Sequence, residues 1–385
     1  MNRDRPFIVF GAPLIGEEEI EEVVATLRSG WLGTGPRVAQ FVDEFLTYNG
    51  GVYGTAVNSC TAALHLSMLA AGIGPGDEVI TTPMTFCATA NAILHTGATP
   101  VLVDIEPDSH NIDPTLIEAA ITPRTRAIVP VHFAGRACEM DAICAIAEKH
   151  NLLIIEDCAH AIETEYHGRK AGTFGDFGCF SFYVTKNVIT AEGGLIVTKS
   201  EDAIDRARIL ALHGMSKDAW KRFSDAGYKH YYVVDAGFKY NMTDIQAALG
   251  IHQLRRIEEN WLRRQQIWQR YMAAFADLPV GLPAPTAPGT RHAYHLFTLM
   301  IDPAEAPLTR DEFLDEMTRR RIGVGVHYMS LPEHPHYQDR LGWSPEDFPT
   351  ATLVGRRTVS LPLSPKLSDA DVDYIIGEVR TVLSA

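Results

Sequence analysis

Residues Cys179 to Gly194 read C-F-S-F-Y-V-T-K-N-V-I-T-A-E-G-G. Cys179 to Val184 is apolar and β-prone, which predicts a buried strand. The run ends at a lone lysine, Lys186, followed by turn-prone Asn187 and then Glu192-Gly193-Gly194. Burial makes an ammonium expensive, so a lysine delivered by a buried strand has a lowered pKa. The neutral amine is a nucleophile and forms Schiff bases with carbonyls. The alternative is a strand-end lysine pointing into water. The segments around it decide between the two.

Outward from this stretch, β-prone runs alternate with helical ones. Strands are predicted upstream at Thr55–Val57, Glu78–Thr81, Pro100–Val103, Ala127–Val131 and Leu152–Ile155. Helices are predicted between them at Ala62–Ala71, Thr85–His95, Pro114–Ile121 and Met140–His150. Downstream, Gly193–Thr198 reads as a strand and Ala203–His213 as a helix. This alternation implies an α/β domain with a mostly parallel sheet covered on both faces. Two helices precede it, Gly16–Arg28 and Arg37–Tyr48. Thr243–Phe275 reads as a long helical stretch, broken once, leading out of the domain. Pro-rich Leu282–Pro288 is a linker or loop. Beyond it, strands at His292–Ile301, Gly323–Val326 and Val359–Leu361 and helices at Thr309–Arg320 and Ser368–Leu383 predict a smaller α+β domain. The expected division is a large domain over residues 1–255 and a C-terminal small domain over 256–385.

The 385 residues suffice for two or three domains and a large core. Apolar residues make up 46% and charged residues 21%, as in ordinary globular proteins. The net charge of -14, without a basic block, argues against nucleic acid or an anionic membrane as partner. Six scattered cysteines without a C-x-x-C pair argue against disulfides or zinc and predict a reducing cytoplasm. The start, Met1-Asn2-Arg3-Asp4-Arg5-Pro6, lacks the apolar core of a signal peptide. No apolar run approaches the length of a membrane span.

In an open α/β sheet, ligands bind beyond the carboxyl ends of the strands. Ser59-Cys60-Thr61 falls there, between a strand and a helix start. Backbone amides and hydroxyls at such a place hold phosphate, or the serine is an ordinary N-cap. Glu156-Asp157-Cys158-Ala159-His160 follows an apolar strand. A buried acid needs a positive partner; a helix cap or a metal ligand are the other readings. Phe86 follows another strand, where a ring covers a flat ligand or packs on the sheet. Trp31, between glycines on a loop, is a substrate wall or plain packing. No P-loop or G-x-G-x-x-G motif stands where a nucleotide cradle would need it. A phosphate at a helix start, a carboxylate facing a ring cation, an aromatic cover and a lysine near a carbonyl are together the requirements of pyridoxal phosphate (PLP).

The chain resembles the DegT/DnrJ/EryC1/StrS family of PLP-dependent sugar aminotransferases nearly end to end. The resemblance rests on Ser29-Gly30-Trp31-Leu32, Gly76-Asp77-Glu78-Val79-Ile80, Thr85-Phe86 and Glu156-Asp157-Cys158-Ala159-His160-Ala161. It continues through Thr185-Lys186-Asn187, Glu192-Gly193-Gly194, Tyr240-Asn241-Met242-Thr243-Asp244 and Gly325-Val326-His327-Tyr328. It implies the aspartate-aminotransferase (fold type I) architecture. It also implies an internal aldimine at Lys186, which then moves the proton, and an ion pair between Asp157 and the pyridine nitrogen. Phe86 would stack on the ring and His160 would contact its other side; many members carry Gln at that position. Cys60, Thr61 and Ser181 would hold the phosphate. Asn241 would reach the cofactor phosphate of a neighbouring subunit, which implies a homodimer with shared sites. Trp31, His327 and Tyr328 would lie near a nucleotide-sugar substrate, with L-glutamate as donor.

Relatives that deoxygenate sugars replace the lysine by histidine, so Lys186 favours amino transfer. The stretches Thr190–Gly194 and His213–Trp220 resemble enzymes that aminate 4-keto-6-deoxy hexoses at C4. A C3-keto sugar, a cyclitol ketone and a non-transaminating PLP reaction are the alternatives. No metal is expected.

Overall fold

The computed structural model describes residues 5–216 and 230–384. Residues 1–4 and the Lys217–Trp220 part of the C4-like stretch lie outside the described residues. Helices α1 (Glu17–Ser29) and α2 (Pro36–Asn49) lead into β1 (Tyr53–Val57). There follow α3 (Cys60–Ala70), β2 (Glu78–Thr81), α4 (Cys87–His95), β3 (Thr99–Leu102), α5 (Pro114–Ile117), β4 (Thr125–Ile128), α6 (Met140–His150) and β5 (Leu153–Asp157). A hairpin, β6 (Glu165–Tyr166) and β7 (Arg169–Lys170), precedes β8 (Phe177–Ser181), β9 (Gly194–Thr198) and α7 (Glu201–Ala211).

These strands, the hairpin aside, form one seven-stranded sheet in the order β1-β9-β8-β5-β4-β2-β3. Only β9 runs against the rest, antiparallel to both β8 and β1. The carboxyl ends of β1, β2, β4, β5 and β8 therefore share one edge, and β9 starts there. At that start a Cβ on Gly194 would lie 2.4 Å from the Ser59 carbonyl oxygen and 2.7 Å from the Cys60 nitrogen. Only glycine lets the helix start approach this closely.

α8 (Asp244–Arg255) and α9 (Ile257–Phe275) are the expected broken helix, and the break is at Arg256. β10 (Thr290–Arg291), β11 (Phe297–Met300), α10 (Arg310–Arg319), α11 (Pro335–Leu341), α12 (Pro349–Arg357), β12 (Thr358–Leu361) and α13 (Asp369–Leu383) complete the chain. β11 and β12 pair antiparallel. A separate buried cluster joins Trp268, Tyr271, Phe275, Phe297, Phe313 and Ile375 with Ile8 from the N-terminal segment. No helix among the described residues is long and apolar enough to cross a membrane.

Three strand expectations change. The strand expected at Cys179–Val184 is β8, which stops at Ser181. The chain turns after Phe182, where Lys186 N–H bonds the Tyr183 carbonyl at 2.8 Å. The expected strand at His292–Ile301 is cut by Tyr294, whose φ of 49° is incompatible with an extended run. Gly323–Val326 makes only one isolated bridge, Gly325 to Ser360, and is not a strand. Behind β8, Phe45 meets Phe180 at 4.8 Å and Phe41 meets Phe182 at 5.0 Å, all four essentially inaccessible to solvent. This edge-to-face cluster is a rigid backing for the turn that carries Lys186.

Candidate active site

The shared strand edge opens into a cavity of about 570 Å³, within the usual range for small-molecule sites. Nine of the residues singled out in the sequence line it: Cys60, Thr61, Phe86, Asp157, His160, Ser181, Lys186, His327 and Tyr328.

Lys186 is part-buried, and desolvation pushes its ammonium down to about 8, against the opposing pull of Cys60 and Asp157. The amine is still mostly protonated at pH 7, but its neutral form is far more populated than for an exposed lysine. Asp157 ends β5 and is 4% exposed. Burial raises its pKa; hydrogen bonds from Ala159 N–H (3.1 Å) and Thr89 Oγ1 (2.8 Å) hold the charged form. Thr89 was not legible as a site residue: it sits one helical turn past Thr85, in an unremarkable helix. At the start of α3, Ser59 Oγ caps only the Ala62 amide, at 3.1 Å. The Cys60 and Thr61 amides have no backbone partner among the described residues, as an anion site requires.

His160 is 6% exposed, and desolvation with the nearby Lys186 charge holds it well below its usual pKa. Ala134 N–H donates to its Nδ1 at 3.2 Å, so the ring proton sits on Nε2 and is donated to the Tyr328 hydroxyl oxygen at 2.9 Å. With both nitrogens engaged, His160 offers the cavity a face. His327 Nδ1 meets Ser360 Oγ at 2.8 Å and its ring stacks on Phe10 at 5.4 Å. Burial pushes its pKa down to about 4, so it is neutral at pH 7. Phe86, 58% exposed, stands 6.0 Å from the Tyr328 ring.

Two singled-out residues lie elsewhere. Trp31 Nε1 donates to the Thr34 carbonyl at 3.2 Å, and Asn241 Nδ2 donates to Thr34 Oγ1 at 2.8 Å. Neither lines the cavity of its own chain. Among the described residues, the one cluster with metal-ligand spacing is His132, Glu156 and Cys158. Its Glu156 is already taken by His132 at 3.0 Å and by the amides of Gly172 and Gly175 at 2.7 Å each.

A desolvated amine, a buried carboxylate, unpartnered amides at a helix start and an aromatic lid fit pyridoxal 5′-phosphate. The sheet that carries them is that of PLP fold type I. The comparisons with known proteins agree. The DegT/DnrJ/EryC1/StrS aminotransferase family matches residues 13–380, and the chain belongs to that family. It is 51% identical over 379 residues to the spore coat polysaccharide biosynthesis protein SpsC of Bacillus subtilis, covering 98% of this chain and 97% of SpsC. The PLP form of the putative sugar aminotransferase Spr1654 from Streptococcus pneumoniae superposes with a TM-score of 0.91 at 36% identity, over 98% of this chain and 99% of that one. Its PMP form matches with the same TM-score, 0.91. DesI, solved in the presence of its TDP-sugar product, superposes at 0.87 with 31% identity, over 98% of this chain and 93% of DesI. The cofactor of the family is PLP.

Proposed function

We propose that this protein transfers the amino group of L-glutamate to a nucleotide-linked keto-sugar, a 4-keto-6-deoxy hexose, and sets the amine at C4. The observation that carries amino transfer is the Lys186 amine and the Asp157 carboxylate in one cavity, while the C4 choice rests on the resemblance of Thr190–Gly194 and His213–Trp220 to C4 enzymes. The relatives support the sugar class. SpsC is named for polysaccharide biosynthesis, and DesI was solved with a TDP-sugar product.

PLP supplies the aldehyde that receives the amino group and a ring that holds the electron pair during the proton shift. In this reading Lys186 fixes the cofactor covalently and, once displaced by substrate, carries the proton between the two carbons of that shift. Asp157 keeps the ring nitrogen protonated. Phe86 and His160 cover the two ring faces. The amides and side chains of Cys60, Thr61 and Ser181 bind the phosphate. Neutral His327 and the Tyr328 hydroxyl orient the sugar.

Incubation with 4-keto and 3-keto nucleotide sugars side by side, with glutamate, tests the regiochemistry. Product mass and NMR are expected to show amine at C4 with release of 2-oxoglutarate. Amine at C3 alone removes the C4 assignment and leaves amino transfer standing.

The proposal includes a homodimer in which Asn241 reaches the neighbouring subunit's cofactor phosphate and Trp31 its sugar nucleotide. It is supported by the position of both residues outside their own cavity and by neighbouring exposed apolar side chains such as Leu32. Mixing Lys186→Ala with Asn241→Ala subunits yields heterodimers with one intact and one doubly damaged site. Recovery of up to half the wild-type rate per heterodimer is expected. No recovery despite subunit exchange, or a fully active monomer, contradicts sharing. The proposed division into a large and a C-terminal domain is supported by a separate C-terminal core. Ile257 still packs with the large-domain core and the C-terminal core begins, apart from Ile8, at Ile267, so the proposed boundary moves from 255/256 to the stretch between those two residues. Six free cysteines support the cytoplasm as its place.

A further inference from the structure

Glu163 is fully buried, and its carboxylate faces the fully buried guanidinium of Arg264 on α9. Such a pair does not by itself stabilise a fold, because desolving both charges offsets their attraction. Arg264 is also poorly served as a structural group: its Nε and Nη1 are buried without partners among the described residues. The second oxygen of Glu163 accepts from Asn187 Nδ2 at 2.8 Å, and Asn187 follows Lys186 directly.

The consequences run in one direction. Asn187 Nδ2 donates to Glu163 and to the Ala293 carbonyl, at 3.0 Å, which fixes the flip of the amide. Its Oδ1 must then accept, and it takes the proton of His295 Nδ1 at 2.9 Å. His295 is buried, and desolvation lowers its pKa well below the usual value, so it is neutral with a set tautomer. Its ring lies 4.4 Å from the His160 ring at 33°. His160 in turn is clamped between Ala134 and Tyr328. Three segments thus meet on one carboxylate, the loop after β5, the Lys186 turn and α9, and the approach to β11 joins them through the Asn187 amide.

We infer that Arg264, Glu163, Asn187 and His295 form a positioning chain that fixes both the Lys186 turn and the His160 ring against the cofactor. The inference rests on the reading of Lys186 and His160 given above. None of the four lines the cofactor cavity, so they act through Lys186 and His160. The fixed ion pair sets the direction of every bond in the chain while adding no net charge beside Lys186. The titratable groups whose charge is felt at Lys186 are Asp157, Cys60, His160, His295 and His327. Displacement of a reacting group by about an ångström costs on the order of a hundredfold in rate.

The test uses two variants of the PLP-loaded full chain. Asn187→Ala cuts the chain at its centre. His295→Phe keeps a ring against His160, removes only the bond to Asn187, and leaves the ion pair intact, so it decides the matter should Asn187→Ala fail to fold. Each is read by visible circular dichroism of the bound cofactor, which reports ring orientation, by kcat and KM separately, and by borohydride fixation. A changed dichroism amplitude is expected, with kcat down roughly 10- to 100-fold and KM for both substrates within about twofold. The cofactor should still be fixed to Lys186. Unchanged dichroism and kcat with fixation at Lys186 overturn the positioning chain alone. Fixation away from Lys186 in the wild type overturns the reading of the site itself, and the inference with it.

Discussion

Lys186→Ala is expected to lower turnover by on the order of 10⁴-fold, because in the proposed mechanism one side chain both attaches the cofactor and moves the proton. Loss of general acid–base catalysis alone costs about 10²–10⁴-fold, so the double role sets the effect at the top of that range. The variant retains Asp157, the α3 amides and Phe86, and is expected to hold PLP non-covalently. Single-turnover reaction with glutamate isolates the step. The pH dependence follows from the lowered pKa. Below about 8 the amine is protonated and cannot attack a carbonyl. PLP capture by the cofactor-free wild type should therefore quicken as pH rises and level off above that value. Wild-type turnover in Lys186→Ala, or capture that does not respond to pH, contradicts the assignment.

Asp157→Asn ranks second. An opposite charge within bonding distance shifts a partner's pKa by about 1–3 units, and each unit is a factor of ten in the protonated fraction. Loss of the carboxylate charge should therefore cut turnover about 10- to 1000-fold, most steeply at high pH where the ring nitrogen loses its proton. The amide keeps the shape: its one oxygen can still accept from Ala159 N–H, and its Nδ2 can donate to the Thr89 hydroxyl, which then turns its own proton to Thr85. Folding is therefore expected to survive, with weaker PLP binding by equilibrium titration. A rate equal to wild type across the pH range removes the ring-nitrogen role.

The sequence makes legible what depends on local pattern. Apolar runs ending at Asp157 and near Lys186 announce strand ends, and in an α/β sheet strand ends gather at one edge. The Ser59–Thr61 turn marks a helix start in the same way. What was not legible depends on distance in the chain. Thr89 meets Asp157 only because α4 crosses the end of β5. Glu163, Asn187, Arg264 and His295 span more than a hundred residues and share no motif; alone, Asn187 reads as a turn, Arg264 as a charge on a helix and His295 as one residue of a strand. Tyr294 broke an apolar run through a positive φ that its side chain does not announce. The two-residue strands β6 and β7 are too short to show a period. α11 and α12 were missed because each is short and opens on a proline that reads first as a loop signal.

Borohydride reduction of the yellow holoenzyme, followed by peptide mass mapping, tests the assignment of the site most directly. The reduced bond locks the cofactor onto whichever amine holds it. The expected result is a single modified peptide carrying the phosphopyridoxyl mass on Lys186. The cofactor on any other lysine, or a colourless protein that takes up no PLP, contradicts it.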